Sequence, residues 1–255
     1  MQLHYRKYGS GPPLIILHGL FGSSDNWHTL ARRWAEFFTV YAMDQRNHGS
    51  SPHESIMNYE EMVHDLESFM LAERIGTANI LGHSMGGKVA MQFASIHPDS
   101  VRGLIILDIG LDRVEGRHAA ILKVLEQVDL PRYTSRRDLE SELQQYISST
   151  PIRQFLLKNI LRRVDGTFSW KFNRDALLDH YDDLTASLDL SDIFMAPVLF
   201  LRGENSNYLG ETLSPDILQY FPLAQLETVP DAGHWLHADQ PELLFRRTTD
   251  FFNAL

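Results

Sequence analysis

Short runs of continuous apolar residues alternate along this chain with longer segments whose apolar positions recur every three or four residues. Leu14-Ile15-Ile16-Leu17, Thr39-Val40-Tyr41-Ala42-Met43, Ala78-Asn79-Ile80-Leu81, Gly103-Leu104-Ile105-Ile106-Leu107, Val198-Leu199-Phe200-Leu201 and Gln225-Leu226-Glu227-Thr228-Val229 have the length of strands. Most of them carry the unbroken hydrophobicity of strands covered on both faces. Leu3, Tyr5 and Tyr8 alternate like an edge strand ahead of the turn Gly9-Ser10-Gly11-Pro12-Pro13. Between the runs, Asn26 to Phe38 places Trp27, Leu30, Ala31, Trp34 and Phe38 at helical spacing behind Ser24 or Asp25 as N-cap. A second stripe is formed by Tyr59, Met62, Val63, Leu66, Phe69 and Met70. Helices are also predicted over Lys88 to Ala94 and Pro241 to Phe252. Strand–helix alternation of this kind predicts an α/β fold with a mostly parallel sheet and right-handed crossovers, so that every strand ends on one common edge.

The alternation stops between residues 112 and 190. There Arg113, Arg117, Lys123, Arg132, Arg136 and Arg137 mix with helical apolar positions such as Ile121, Leu122 and Leu125, and no strand-like run is evident. The pattern predicts a core of residues 1–111 and 191–255 with a helical cap inserted at 112–190, directly after a strand end and therefore over that edge. The basic residues read as a solvated face, with an anionic part of a substrate, such as a phosphorylated carrier, as the other use for them.

With 255 residues, 44% of them apolar, the chain can bury one substantial core. A formal charge of −10 argues against nucleic acid or an anionic membrane as an electrostatic partner. There is no cysteine, hence no disulfide framework and no thiolate metal site. No apolar run approaches the roughly 18 residues of a membrane span, and folded-looking sequence starts at Met1-Gln2-Leu3 without a signal-peptide pattern. A soluble cytoplasmic protein is the expectation, with a homodimer left open.

Gly82-His83-Ser84-Met85-Gly86 sits between a strand and a helix. In that context G-x-S-x-G is a nucleophile elbow, in which small residues permit a strained turn that lifts the serine hydroxyl above the sheet. Ser84 is the candidate nucleophile, and the Met85 N–H, at a helix N-terminus, is a candidate donor to an oxyanion. The same stretch, extended to Lys88-Val89, lies one residue from the phosphate loop G-x-x-x-x-G-K-[ST]. Val89 lacks the hydroxyl that such a loop uses on Mg²⁺. His18-Gly19-Leu20-Phe21-Gly22 opens a loop after a strand, where the Leu20 N–H could face that of Met85. His18 reads chiefly as a loop-pinning group, and Asp44, Arg46 and His48 as a loop tie rather than an acid/base cluster. His234, just past the last strand in Asp231-Ala232-Gly233-His234-Trp235, is the expected general base, with His237 in support.

On His18-Gly19, Asp44 to Gly49, Gly82-His83-Ser84-Met85-Gly86 and Gly233-His234, the chain resembles the α/β-hydrolase superfamily along its whole length. Asp44-Gln45-Arg46-Asn47-His48-Gly49, Leu107-Asp108-Ile109, Arg153-Gln154-Phe155-Leu156-Leu157 and Gly203-Glu204-Asn205-Ser206 with Tyr208 look more specifically like the YbfF-like esterase group. The resemblance implies a serine esterase for short to medium acyl esters or acyl thioesters, with a helical cap, no cofactor and no metal. Many α/β-hydrolases carry their triad acid in a G-x-x-D pattern after the strand equivalent to Val198–Leu201, where this chain has Ser206. Asp108, at the end of the strand next to Ser84, is therefore the preferred acid, with Glu204 and Asp231 as alternatives. Phe21, His83 and Trp235 beside the triad, and Phe155, Trp170 and Phe172 in the insertion, are the expected substrate contacts. A carbon–carbon hydrolase, lyase or perhydrolase could use the same triad, and a ligand receptor the same pocket without turnover.

Overall fold

The computed structural model describes residues 1–255. Seven strands form one sheet: β1 (Tyr5–Tyr8), β2 (Pro13–Leu17), β3 (Thr39–Met43), β4 (Ala78–His83), β5 (Val101–Leu107), β8 (Val198–Gly203) and β9 (Ala224–Val229). Their spatial order is β1-β3-β2-β4-β5-β8-β9. Only β1 runs antiparallel, pairing Tyr5 with Met43 at the edge, and the remaining neighbours are parallel.

Strand side chains alternate between two apolar layers, as the two-residue period requires. Ile15, Leu17, Ile80, Leu104, Ile106, Val198 and Phe200 face one layer, built with α2 (Tyr59–Ala72) and α3 (Met85–Ile96). Leu14, Ile16, Leu81, Ile105, Leu107, Leu199 and Leu201 face the other, built with α1 (His28–Trp34) and α11 (Pro241–Asn253). Helices on both faces bury the central strands and put their C-terminal ends on one edge. No helix is long and apolar enough to cross a membrane.

Between β5 and β8 lie α4 (Ala119–Gln127), α5 (Arg136–Tyr146), α6 (Thr150–Lys158), α7 (Arg174–Asp179) and α8 (Tyr181–Thr185). This segment also holds an antiparallel hairpin of β6 (Ile160–Arg162) and β7 (Phe168–Trp170), which corrects the expectation that it contains no strand. The cause is local: Asp165-Gly166 makes the turn, with Gly166 at φ 86°, but three-residue strands leave no run to read. The helix expected from Asn26 begins instead as a 3₁₀ turn at Ser24–Trp27, and α9 (Pro215–Tyr220) and α10 (Leu236–Asp239) were too short to show a period.

The two ends of the inserted segment run side by side. Val114 N donates to Thr185 O and Leu188 N to Leu111 O, each at 2.8 Å. Across them the Lys88 ammonium, on the second turn of α3, donates to Asp112 O at 2.7 Å and to Ala186 O. Lys88 is 1% exposed. Its place against these carbonyls leaves the phosphate-loop reading without its lysine.

Burial lowers the Lys88 value to about 8, against the opposing pull of Asp112. The unfolded chain, with an ordinary lysine near 10.4, then holds more protons between those two values. Lys88's contribution to stability must therefore rise with pH in that window. The difference in unfolding free energy between wild type and Lys88→Met is expected to grow in favour of wild type from pH 8 to 10, by up to about 1.4 kcal/mol per pH unit. Chemical denaturation at several pH values checks this, and a constant difference would contradict it.

Candidate active site

Loops following β2, β4, β5, β8 and β9 converge on one cleft at the C-terminal edge. At its centre Ser84 caps α3 with φ 52° and ψ −118°, a backbone state that costs an L-residue on the order of 1–3 kcal/mol and persists only where surroundings enforce it. Glycines enforce it here. A Cβ on Gly82 would strike the backbone of Gly86 and Gly87, and one on Gly86 would strike the carbonyls of Leu17 and His18. The serine is 7% exposed and lines the cleft.

Asp108 follows β5, the strand beside β4, and is fully buried. Its Oδ1 accepts the Gly203 N–H at 3.0 Å, and its Oδ2 accepts from the Ser206 hydroxyl and from His234 Nδ1, the latter at 2.8 Å. The serine found where an aspartate was expected thus serves Asp108 as a hydrogen-bond donor. Glu204 is exposed and accepts the backbone N–H of Asp231 at 3.0 Å, and the carboxylate paired with the His234 imidazole is that of Asp108. His234 shares the cleft with Ser84.

Leu20 and Met85 flank Ser84, both bordering a small cavity behind it. Met85 is the first residue of α3, so its N–H has no intrahelical acceptor. The loop bearing Leu20 is held from beneath. Phe21 N donates to His48 Nε2 at 3.2 Å while His48 Nδ1 donates to Arg46 O, and Gln45 N donates to His18 Nε2 at 3.1 Å while His18 Nδ1 donates to Gly19 O. Both histidines are thereby fixed as neutral tautomers. Asp44 ties the same region through Ser24 N and Ser50 N; these hydrogen bonds hold its carboxyl below the usual range although burial opposes them. Arg46 pairs with Asp65 at 2.6 Å and Glu61 at 2.8 Å, so the segment from Asp44 to His48 is the loop tie that its sequence implied.

Of the expected substrate contacts, Phe21, His83, Phe155 and Trp235 line the cleft, and Phe155 lies against Trp235 with ring centroids 5.8 Å apart. Trp170 and Phe172 do not, which corrects that expectation. They stack on each other at 5.0 Å, and Phe172, 2% exposed, packs against Phe21 from outside the cleft. The hairpin turns these aromatics into packing. His83 is a positioning group in addition, since its Nε2–H donates to His234 O at 2.9 Å.

Three cleft residues escaped the sequence reading of the site. Tyr208 stacks on His234 with centroids 3.7 Å apart at 17°, and Arg117 lies over the Tyr208 ring at 5.3 Å from its centroid. His118 Nδ1 is 3.0 Å from Tyr181 Oη and its Nε2 is 3.5 Å from Tyr208 Oη. The glycine before His234 marked that loop, whereas Arg117 and His118 lie in a polar stretch without a pattern. His237 lines the cleft and packs on Trp27 at 4.6 Å.

Burial pushes the flanking histidines down: His48 and His237 to about 3, His118 to about 4, with His18 and His83 lowered as well, and the other histidines add to the effect at all but His18. His48, His118 and His237 thus stay neutral in the fold down to about pH 4, while an unfolded histidine takes up a proton near pH 6.5. No cost is present above that pH, and stability is lost as pH falls below it. The unfolding free energy is expected to drop between pH 6.5 and 4.5 with up to about 1.4 kcal/mol per pH unit from each histidine. His237→Gln should flatten that slope by about one proton; an unchanged slope in denaturation titrations would refute the burial argument.

Residues 14–247 match the alpha/beta hydrolase family. A diacylglycerol lipase of Xenopus laevis, sn-1-specific ABHD11, is 39% identical over 266 residues, covering all of this chain and 83% of that protein. Esterase YbfF of Escherichia coli (strain K12) is 34% identical over 242 residues, covering 94% of this chain and 93% of its own. Among solved structures, a marine microorganism esterase superposes with a TM-score of 0.95 at 42% identity, covering 98% of this chain and 99% of that one. With an elbow serine, a strand-end aspartate and a C-terminal histidine on one sheet edge, the chain belongs to the alpha/beta hydrolase family, in the group that includes esterase YbfF.

Proposed function

We propose that this chain is a carboxylesterase working through Ser84, His234 and Asp108. The observation that carries the reading is the 2.8 Å contact from His234 Nδ1 to a fully buried Asp108, in a cleft shared with an elbow serine. With Nδ1–H committed to the carboxylate, Nε2 is left as the base. It takes the Ser84 proton as Oγ attacks the acyl carbon, and returns it to the departing alkoxide. The Leu20 and Met85 N–H groups hold the oxyanion, and water repeats the cycle on the acyl-enzyme. Asp108 stabilises the imidazolium, while the neutral state of the surrounding histidines spares it like-charge repulsion.

Acyl thioesters suit the same site, because a thiolate leaves with less protonation than an alkoxide. Residues 112–190 form the cap in this reading, supported by Ile121, Ile152 and Phe155 in the cleft wall. The proposed compartment is the cytoplasm, which a cysteine-free chain fits.

Ser84→Ala should lower kcat on a p-nitrophenyl ester by on the order of 10⁶ without unfolding the protein, because the triad acts as a unit. Turnover near the wild-type rate would end the assignment, and wild type should be labelled by a fluorophosphonate probe. The acid is tested separately with isosteric changes at neutral pH. Asp108→Asn is expected to cost roughly 10⁴ in kcat, while Glu204→Gln stays within a few-fold. The reverse ranking would move the acid to Glu204.

A further inference from the structure

Ser84 opens on two spaces of unequal size. On one side lies a cavity of about 10 Å³ lined by Leu20, Met85, Ile109, Val114, Leu184 and Lys88 among others. Room of that order holds roughly one water-sized group. On the other side the catalytic cleft, of about 50 Å³, is lined by His234, Trp235 and His237. Its wall of Asn26, Phe155, Trp235 and His237 is shared with an outer groove of about 470 Å³. Thr29, Leu30, Pro151, Gln154 and Lys158 line that groove, mixing apolar surface with polar groups.

Proton transfer decides which part of an ester goes where. The base must return its proton to the leaving oxygen, so the alcohol lies on the His234 side of Ser84. His234, Trp235 and His237 border the cleft, and none of them borders the small cavity. Met85, one of the two proposed oxyanion donors, borders the small cavity alone, while Leu20, the other, stands between the two spaces and borders both. The acyl chain then points into the smaller space, of about 10 Å³, and the alcohol into the cleft that shares its wall with the 470 Å³ groove.

We propose that this chain takes esters of a very short acyl group with a bulky, amphipathic alcohol, the acyl chain lodging between Leu20, Ile109 and Leu184 and the alcohol passing the Phe155–Trp235 pair into the outer groove. The proposal rests on the serine-esterase reading and specifies its substrate class. In the reaction the Ser84 Oγ–acyl bond forms and the acyl–alkoxide bond breaks. The serine proton moves through His234 to the alkoxide, which leaves as the alcohol along the groove. Water then adds its hydroxyl to the acyl carbon as the Oγ–acyl bond breaks, its proton passes through His234 to Ser84 Oγ, and a short carboxylic acid is released.

Two ester series read with wild-type enzyme test this, one with acetyl fixed and alcohols from ethanol to naphthylmethanol, the other with phenol fixed and acyl groups from acetyl to octanoyl. A chain that outgrows a small apolar-walled pocket by one methylene loses on the order of 10-fold or more. We expect kcat/KM to fall at least that much per methylene beyond propionyl, and to hold or rise with alcohol size. Ile109→Ala should raise the butanoyl-to-acetyl ratio at least tenfold, and Trp235→Ala should alter the ranking of alcohols. A flat acyl profile, or one steep for alcohols and tolerant of acyl chains, overturns the orientation even with phenyl acetate hydrolysed well. Failure to hydrolyse phenyl acetate, together with no fluorophosphonate labelling, overturns the esterase reading beneath it and this proposal with it.

Discussion

The backbone at the strand ends is the constraint on which the site depends. Six residues other than glycine have positive φ, and five of them, Phe21, Asn47, Ser84, Asp108 and Asp231, follow strands on the same edge. The sixth, Arg74, lies just past α2. A strand leaving a parallel sheet must reverse toward a helix, and a left-handed residue makes that reversal in the fewest steps. Each such residue costs an unfavourable backbone state. The sheet can bear it because its central strands are buried on both faces, with Leu14 to Leu17, Ile80, Leu81 and Leu104 to Leu107 at most 1% exposed. Packing holds the sheet rigid, and the strain appears where side chains must project.

Two of those projections, Ser84 and Asp108, stand at the ends of hydrogen-bonded neighbours: Ser84 N donates to Leu107 O, and Asp108 N to Leu201 O. Serine, aspartate and the β8 loop are therefore in register through the sheet itself. His234 comes from farther away and is restrained by its surroundings: Asp108 on Nδ1, the Tyr208 ring on one face, and His83 on its carbonyl. A ring held by a hydrogen bond and a stack keeps one orientation, which is what the proposed role of His234 as a base in two proton transfers requires.

The sequence was most informative where one residue type had one physical use. The six parallel strands, the strand–turn–helix at Ser84 and the nearness of Asp108 to His234 were legible because continuous apolar runs, paired glycines around a serine, and a missing carboxylate at position 206 each admit few readings. Trp170 and Phe172 were misread because aromatic residues serve packing and binding equally, and the hairpin that turns them away from the cleft rests on three-residue strands. Arg117 and His118 lie in a stretch of no period, and only tertiary contact with Tyr208 and Tyr181 gives them a place. Long-range placement of single polar residues carries no local signal.

Lys88 shows how one residue can mislead in sequence and explain in structure. A lysine after two glycines and ahead of a helix invites a phosphate, yet here its ammonium meets the carbonyls of Asp112 and Ala186. A buried charge is costly, which is the sense of its depressed value, and the nearby Asp112 only partly opposes that cost. What offsets the cost is the junction it closes, where the two ends of a long insertion meet the helix that begins at Ser84. The same side chain lines the small cavity behind the serine. The attachment of the insertion and the depth of that cavity are thus set by one group, so a change in how the insertion is anchored is also a change in what fits beside the serine.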